Sequence, residues 1–149
     1  MDAADMSVKW DNRFLDLAEM VAGWSLDPST QVGAVIVDPD NRIVSVGFNG
    51  FPRGISDDRE RYLDRELKLK MVVHAENNAI LFSQRNLDGC TLYTHPFMPC
   101  SRCAGMIIQS GISRVVTRRN TNPRWEEDFL TSEKMFFEAG ITLEMYEPK

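Results

Sequence analysis

Three soft metal ligands and one uncommitted carboxylate stand out in this chain of 149 residues. His74 and Glu76 lie two residues apart, and Cys100 and Cys103 form a Pro-Cys-x-x-Cys motif further along the chain. An imidazole and two thiolates fill three positions of a tetrahedral zinc ion, and a catalytic zinc keeps its fourth position for water. Zinc lowers the pKa of such a water to about 7. We therefore expect one catalytic zinc ion per subunit, with Glu76 as the general acid and base.

The two motifs together are more specific than either is alone. A Cys-x-x-Cys pair also serves redox chemistry and structural zinc sites, but a structural site normally takes a fourth protein ligand. Cys90 and His95 are the remaining candidates for that ligand. Cys90 is typical of a small buried hydrophobe at a strand start, whereas His95 either lines the pocket, supports the ligands or is exposed. His-x-Glu combined with Pro-Cys-x-x-Cys is a signature of zinc deaminases.

The composition excludes some classes of protein. Hydrophobic residues make up 43% of the chain and charged residues 26%, as in ordinary globular domains, so we expect residues 1–149 to form a single domain. Three cysteines provide no disulfide framework. We expect neither a membrane-spanning segment nor a signal peptide, because no apolar run approaches membrane-spanning length and the first residues are acidic, and we expect a cytoplasmic location. The net charge of −5 disfavours a nucleic-acid partner, whereas a small anion needs only a local basic pocket.

Hydrophobic periodicity predicts the elements that position these residues. Spacing of three and four residues predicts a helix over 8–24, and strand-like runs over 32–37 and 43–48 predict a hairpin. The segment 57–70 alternates acids and bases, which predicts a solvated helix with one thin apolar stripe. The remaining predicted elements are a helix over 74–84, a strand over 90–94, a helix over 100–110, a strand over 114–117, a helix over 126–139 and a strand over 141–146.

Strands that alternate with helices favour an α/β layer fold. Both motifs then fall at predicted helix N-termini, where the helix dipole favours thiolate over thiol.

The whole chain resembles the deoxycytidylate (dCMP) deaminase family of the cytidine deaminase superfamily. Residues 27–34, Asp-Pro-Ser-Thr-Gln-Val-Gly-Ala, are similar to that family's Ser-Gln-Val-Gly-Ala stretch. Residues 47–54, Gly-Phe-Asn-Gly-Phe-Pro-Arg-Gly, are similar to its Gly-Tyr-Asn-Gly-Met-Pro-x-Gly loop, and 74–80 to its His-Ala-Glu-x-Asn-Ala-Ile helix. The resemblance implies a cytidine-deaminase-like three-layer α-β-α fold with a mixed five-stranded sheet.

The resemblance also implies a hydrolase that converts dCMP to dUMP and ammonia, supplying dUMP for thymidylate synthesis. Water activated by zinc would attack C4 of the cytosine ring, while Glu76 first takes a proton from the water, then protonates N3 and finally, with the second proton of the water, the leaving ammonia. Asn49 would hydrogen bond to the base or sugar, and the backbone N–H of Ala75 to the pyrimidine carbonyl. Thr30 and Gln31 belong to the matched substrate-binding stretch.

Several assignments around the substrate have alternatives. Asn49 beside a glycine is also typical of a turn. Phe97 lies in a stretch one residue longer than in familiar family members; it either stacks on the base, where it would bear on 5-substituted cytosines, or is an ordinary loop hydrophobe. For the phosphate, the candidates just beyond the predicted strand over 114–117 are Arg118, Arg119 and Arg124. Arg119 is the first choice among them, and Arg102 is less favoured because it can point away from the site.

The resemblance further implies a homo-oligomer with dCTP and dTTP as effectors, accompanied by Mg²⁺. It places Arg53 and Asp57 in the matched effector loop. Ile107 and Ile108 can pack either between subunits or against the sheet.

Two other functions are compatible with the motifs. A tRNA adenosine deaminase or another base deaminase uses the same zinc chemistry, but the acidic charge and the loop around Asn49 argue against it. A zinc-stabilised binding domain is the non-enzymatic alternative, and the uncommitted Glu76 argues against that function.

Overall fold

The computed structural model describes residues 2–149, which form six helices and five strands. In chain order these are α1 Ala3–Ala22, β1 Gly33–Val37, β2 Ile43–Phe48, α2 Arg59–Leu63, α3 Arg65–Met71, α4 Ala75–Ser83, β3 Thr91–His95, α5 Ser101–Ser110, β4 Arg114–Arg118, α6 Glu126–Ala139 and β5 Thr142–Tyr146. Every predicted strand and helix is present. The segment 57–70 differs from the prediction, because it folds as the two short helices α2 and α3 rather than as one helix.

The strands form one mixed sheet in the order β2-β1-β3-β4-β5. β1 is antiparallel to both of its neighbours, so the predicted hairpin with β2 is confirmed. β3, β4 and β5 are parallel, with α5 and α6 as the crossover helices between them. The predicted α/β fold with a mixed five-stranded sheet is therefore confirmed.

Successive strand residues point to opposite faces of the sheet, and each face packs against a different set of helices. On one face, alternate strand residues pack against α1: Val35, Val37, Tyr93 and Val116 meet Phe14, Leu15 and Ala18. On the other face, the intervening residues pack against the remaining layer: Ala34, Ile36, Leu92 and Val115 meet Ala75, Ala79, Ile107 and Phe136. This gives the three predicted layers. Ile107 is fully buried in this core, and Ile108 packs against it.

Within residues 2–149, no helix has both the length and the apolar character needed to cross a membrane.

A buried carboxylate ties α1 to three strands. Asp11 is 1% exposed and accepts hydrogen bonds from Arg114 Nη1 at 3.0 Å, Tyr93 Oη at 2.7 Å and Tyr146 Oη at 2.5 Å. Burial alone would raise the pKa of Asp11, but the hydrogen bonds from Arg114 and the two tyrosines outweigh burial and lower it. The ionised form of Asp11 is therefore the one that stabilises the fold.

We expect Asp11→Asn to lower the free energy of unfolding by about 3 kcal/mol near neutral pH, because the substitution breaks a buried ion pair. The pKa of Asp11 is lower in the folded protein than the unfolded value of about 3.9. Its contribution is thus fully present above the unfolded-state pKa and is lost as the pH falls through the folded-state pKa.

Urea unfolding from about pH 3 to about pH 7 measures this contribution. Asp11→Asn should show a shallower loss of stability in acid than the parent, and Asp5→Asn, at an exposed position on the same helix, should keep the parent's slope. Parallel pH profiles for Asp11→Asn and the parent would contradict the prediction.

Candidate active site

His74, Cys100 and Cys103 come together at the N-termini of two helices. His74 is the N-cap residue of α4, Cys100 is the N-cap residue of α5, and Cys103 lies in the first turn of α5. His74 Nδ1 lies 3.2 Å from Cys103 Sγ and 3.5 Å from Cys100 Sγ. Tetrahedral zinc with ordinary Zn–N and Zn–S bonds holds such atoms about 3.6 Å apart. The three side chains therefore fit one zinc ion with three protein ligands.

The two thiols differ in their affinity for a proton. A hydrogen bond with Cys103, helped by His74, lowers the pKa of Cys100 to about 4. The same hydrogen bond, together with burial, raises the pKa of Cys103. Metal ligands must be deprotonated, so a bound cation takes the place of the shared proton. Two thiolates and an imidazole are a donor set that suits zinc.

Glu76 lies beside this group without belonging to it. It is the second residue of α4 and 4% exposed, and it lines the same cavity as His74 and Cys100. Burial raises the pKa of Glu76 more than the neighbouring His74 lowers it. A carboxyl group in this position can hold and release a proton next to a bound metal.

The backbone of α4 lies very close to the backbone of β2. A Cβ atom on Gly47 of β2 would lie 2.5 Å from both Ala75 O and Ala79 N, so only glycine allows the helix backbone to rest on the strand. Ser45 Oγ donates a hydrogen bond to Ala79 O at 2.8 Å in the same interface. This contact fixes the first turn of α4, and with it Glu76.

One cavity joins these groups to the rest of the candidate site. Besides Asp27 and the aliphatic residues Val32, Leu69 and Val72, its lining contains aromatic, cationic and uncharged polar side chains. The aromatic residues are Phe97, Trp125 and Phe129, the cationic residues are Arg65, Lys68 and Arg124, and the uncharged polar residues are Thr30 and Asn49. Ala75 also lines the cavity, and as the first residue of α4 its N–H has no acceptor within the helix.

Asn49 uses most of its hydrogen-bonding capacity within the protein. It is 5% exposed; its Oδ1 accepts from Val32 N at 2.8 Å, and its Nδ2 donates to Thr30 O at 2.8 Å and to Asp27 Oδ2 at 3.4 Å. Both amide hydrogens are thus engaged, and one lone pair of Oδ1 remains. Asn49 shapes the loop over 25–32 and can still accept one hydrogen bond from a ligand.

The two candidate phosphate ligands lie in different places. Arg124 lines the cavity that contains Glu76. Arg119, the first choice from the sequence, lines a neighbouring cavity, and its Nε lies 3.3 Å from Glu147 Oε1. The structure therefore brings Arg124, and not Arg119, to the zinc ligands.

Phe97 and Gln31 also differ in position. Phe97 lines the cavity, and its ring centroid lies 5.6 Å from that of Phe129. Gln31 is outside the cavity lining, and its Nε2 donates to Ser25 O at 2.7 Å. Gln31 thus braces the loop that carries Thr30.

The remaining candidates lie away from the cavity. Cys90 is fully buried, as expected for a small hydrophobe. His95 is the last residue of β3 rather than part of a loop. It is half-buried outside the cavity lining, and burial lowers its pKa.

The two candidate effector residues also lie outside the cavity lining. Arg53 is exposed, with its guanidinium 5.7 Å from the Phe82 ring centroid. Asp57 accepts a hydrogen bond from the Tyr62 hydroxyl at 2.9 Å.

Sequence reasoning predicted a helix in this part of the chain but missed that one face of α3 lines the cavity. The prediction of a solvated helix with one thin apolar stripe over 57–70 is wrong for that face, which contributes Arg65, Lys68, Leu69 and Val72 to the cavity lining. Their spacing of i, i+3, i+4 and i+7 is the signal that could have identified this face. Trp125, the N-cap residue of α6, was missed as well, since nothing in the sequence before α6 distinguishes it from a surface aromatic.

A family model described as the cytidine and deoxycytidylate deaminase zinc-binding region matches residues 8–118. The chain is 50% identical to an uncharacterized deaminase in the luxG 3′ region of Aliivibrio fischeri, over 91% of this chain and 92% of that protein. It is 39% identical to the deoxycytidylate deaminase of Mus musculus, over 97% of this chain and 84% of the mouse protein.

The crystal structure of dCMP deaminase from the cyanophage S-TIM5, in apo form, superposes with a TM-score of 0.73 at 24% identity, covering 97% of this chain and 99% of that one. This likeness supports the fold. The match to the family model and the two sequence relatives, with a His/Cys/Cys group placed to hold a metal, show that the chain belongs to the cytidine and deoxycytidylate deaminase family.

Proposed function

We propose that this protein is a zinc-dependent deaminase that hydrolyses dCMP to dUMP and ammonia. The observation that carries the proposal is Glu76, a buried carboxyl group that is not a metal ligand and lies in one cavity with His74 and Cys100. A structural zinc site does not require a carboxyl group of this kind, whereas hydrolytic deamination requires a general acid and base to transfer protons.

His74, Cys100 and Cys103 would hold the zinc, which supplies a Lewis acid that makes water nucleophilic at neutral pH. Glu76 takes a proton from the attacking water as the C4–O bond forms. It delivers that proton to N3 of the ring. It then takes the second proton from the hydroxyl group on C4 and passes it to the amino group, so that the C4–N bond breaks, the C4 carbonyl forms and ammonia leaves. The raised pKa of Glu76 suits a group that must both accept and donate.

The cavity offers groups for each part of the nucleotide. The Ala75 N–H, at the positive end of the α4 dipole, donates to the pyrimidine carbonyl. The free lone pair of Asn49 Oδ1 accepts from a sugar hydroxyl. Phe97 packs against the base together with its neighbour Phe129, and the Arg124 guanidinium contacts the phosphate.

An absorbance assay of dCMP, dCTP, deoxycytidine and 5-methyl-dCMP, with and without a chelator, tests the proposal. We expect dCMP to be turned over in the zinc-loaded protein and not in the chelated protein. An anticodon-loop RNA with a target adenosine tests the rival function. Turnover of that RNA without turnover of dCMP would overturn the proposal, and turnover of neither would favour a zinc-stabilised binding domain.

The finer points stay predictions. Acceptance of 5-substituted dCMP, homo-oligomerisation, a cytoplasmic location, and control by dCTP and dTTP with Mg²⁺ through Arg53 and Asp57 rest on the family resemblance. Adding dCTP with Mg²⁺, or dTTP, to the dCMP assay tests the effectors, and light scattering tests the oligomeric state.

A further inference from the structure

The face of α3 that lines the cavity carries two cations in a chain whose net charge is −5. Arg65 and Lys68 are three residues apart and therefore lie on the same side of the helix. Leu69 and Val72 complete this face. This face of α3 therefore lines one side of the cavity with basic residues, and the starts of α4 and α5 bring His74 and Cys100 to the same cavity.

Lys68 is committed to contacts within the protein, because its ammonium group forms an ion pair with Asp27 and a hydrogen bond with Ser29. It is 8% exposed, and its Nζ lies 3.1 Å from Asp27 Oδ2, 3.4 Å from Asp27 Oδ1 and 3.0 Å from Ser29 Oγ. Asp27 is 3% exposed and also lines the cavity. Lys68 therefore neutralises a carboxylate that would otherwise face the substrate as a buried negative charge.

Arg65 is in the opposite situation. Within residues 2–149, its guanidinium forms neither a side-chain hydrogen bond nor an ion pair, and the same is true of the Arg124 guanidinium. Both residues line the cavity, one from α3 and the other from the segment before α6. Two uncommitted guanidinium groups at one cavity are suited to a phosphate dianion.

We propose that the inward face of α3 selects the 5′-phosphorylated substrate over the free nucleoside. Arg65 binds the phosphate together with Arg124, and Lys68 is a positioning residue that removes the charge of Asp27 from the cavity wall. This inference rests on the proposed function, since it assigns the substrate's phosphate to a wall of the same cavity.

Arg65→Gln tests the first part. We expect kcat/KM for dCMP to fall about 10- to 100-fold, the effect of losing one charge-assisted hydrogen bond, and kcat/KM for deoxycytidine to stay within about twofold. Arg59→Gln is the matched control, because Arg59 is exposed in the neighbouring helix α2 and does not line the cavity. Calorimetry with dUMP and deoxyuridine gives the same comparison without turnover. Equal losses for nucleotide and nucleoside would overturn the role of Arg65.

Lys68→Met, alone and combined with Asp27→Asn, tests the second part. We expect Lys68→Met to lower kcat/KM for dCMP at least about 10-fold and to affect deoxycytidine less. Adding Asp27→Asn removes the uncompensated charge and should recover most of the loss for dCMP. Thermal unfolding of each variant, followed by circular dichroism, fixes an assay temperature at which all are folded. A double variant no better with dCMP than Lys68→Met would overturn the charge-neutralising role.

The two proposals fail in different ways. If the parent protein does not turn over dCMP, the proposed function fails. If the parent turns over dCMP and Arg65→Gln retains the parent's preference for dCMP over deoxycytidine, only the role of α3 fails.

Discussion

Glu76→Gln should lower kcat for dCMP by about 10³-fold, the usual effect of removing a general acid and base. Glutamine has almost the same size and shape as glutamate, so the buried position is filled as before, but its amide cannot accept and return a proton. The zinc content should remain one ion per chain, because Glu76 is not among the ligands. Single-turnover kinetics with dCMP and metal analysis of the same sample measure the two quantities together.

Two observations would separate a chemical role of Glu76 from a structural one. Thermal unfolding of Glu76→Gln should occur at or above the parent's Tm, because the substitution removes an ionisable group from a buried site. Binding of dUMP should also be retained. A variant that keeps its zinc and deaminates dCMP at the parent's rate would rule out Glu76 as the proton carrier.

Removing zinc should abolish turnover and lower Tm by about 10 °C, since a ligand bound at about a thousand times its Kd stabilises by about 4 kcal/mol. The stabilisation has a structural basis, because the ligands join α4 to α5. Without the ion, the hydrogen-bonded pair Cys100 and Cys103 must keep a proton between them. Calorimetric scans before and after chelation, and after zinc is restored, measure the change.

The cysteines provide a matched control for that prediction. Cys103 and Cys90 are both fully buried, so Cys103→Ala and Cys90→Ala each remove one buried sulfur atom. Only Cys103→Ala should lose zinc and turnover, because Cys90 lies outside the ligand group. Loss of zinc from Cys90→Ala, or full zinc content in Cys103→Ala, would contradict the assignment of the ligands.

Features encoded by local spacing were predictable from the sequence. The hairpin and the helix over 126–139 follow from hydrophobic periodicity. Gly111 and Gly140, which adopt positive φ, mark the C-terminal ends of α5 and α6. The zinc ligands were predictable because their chemistry restricts the residue types and because they lie within two short motifs.

Features that depend on contacts between distant segments were not predictable. Lys68 and Asp27 are in contact although they are 41 positions apart in the chain. Nothing in the segment of alternating charges distinguishes Lys68 from its neighbours, so its partner could not be identified from the sequence. The sequence favoured Arg119 over Arg124, and only the path of the segment before α6 places Arg124 at the cavity. The internal hydrogen bonds of Asn49 likewise depend on how the loop over 25–32 meets β2.

The close approach of Gly47 to α4 has a consequence for how this protein can diverge. With no space for a methyl group between strand and helix, a change that moves Glu76 would also have to rebuild the sheet. The wall formed by α3 and the segment before α6 has no such constraint, because its contacts are made by long side chains such as Arg65 and Arg124. A lineage with this fold can therefore exchange one substrate for another by substitutions on that wall, while the groups that break the C–N bond are inherited unchanged.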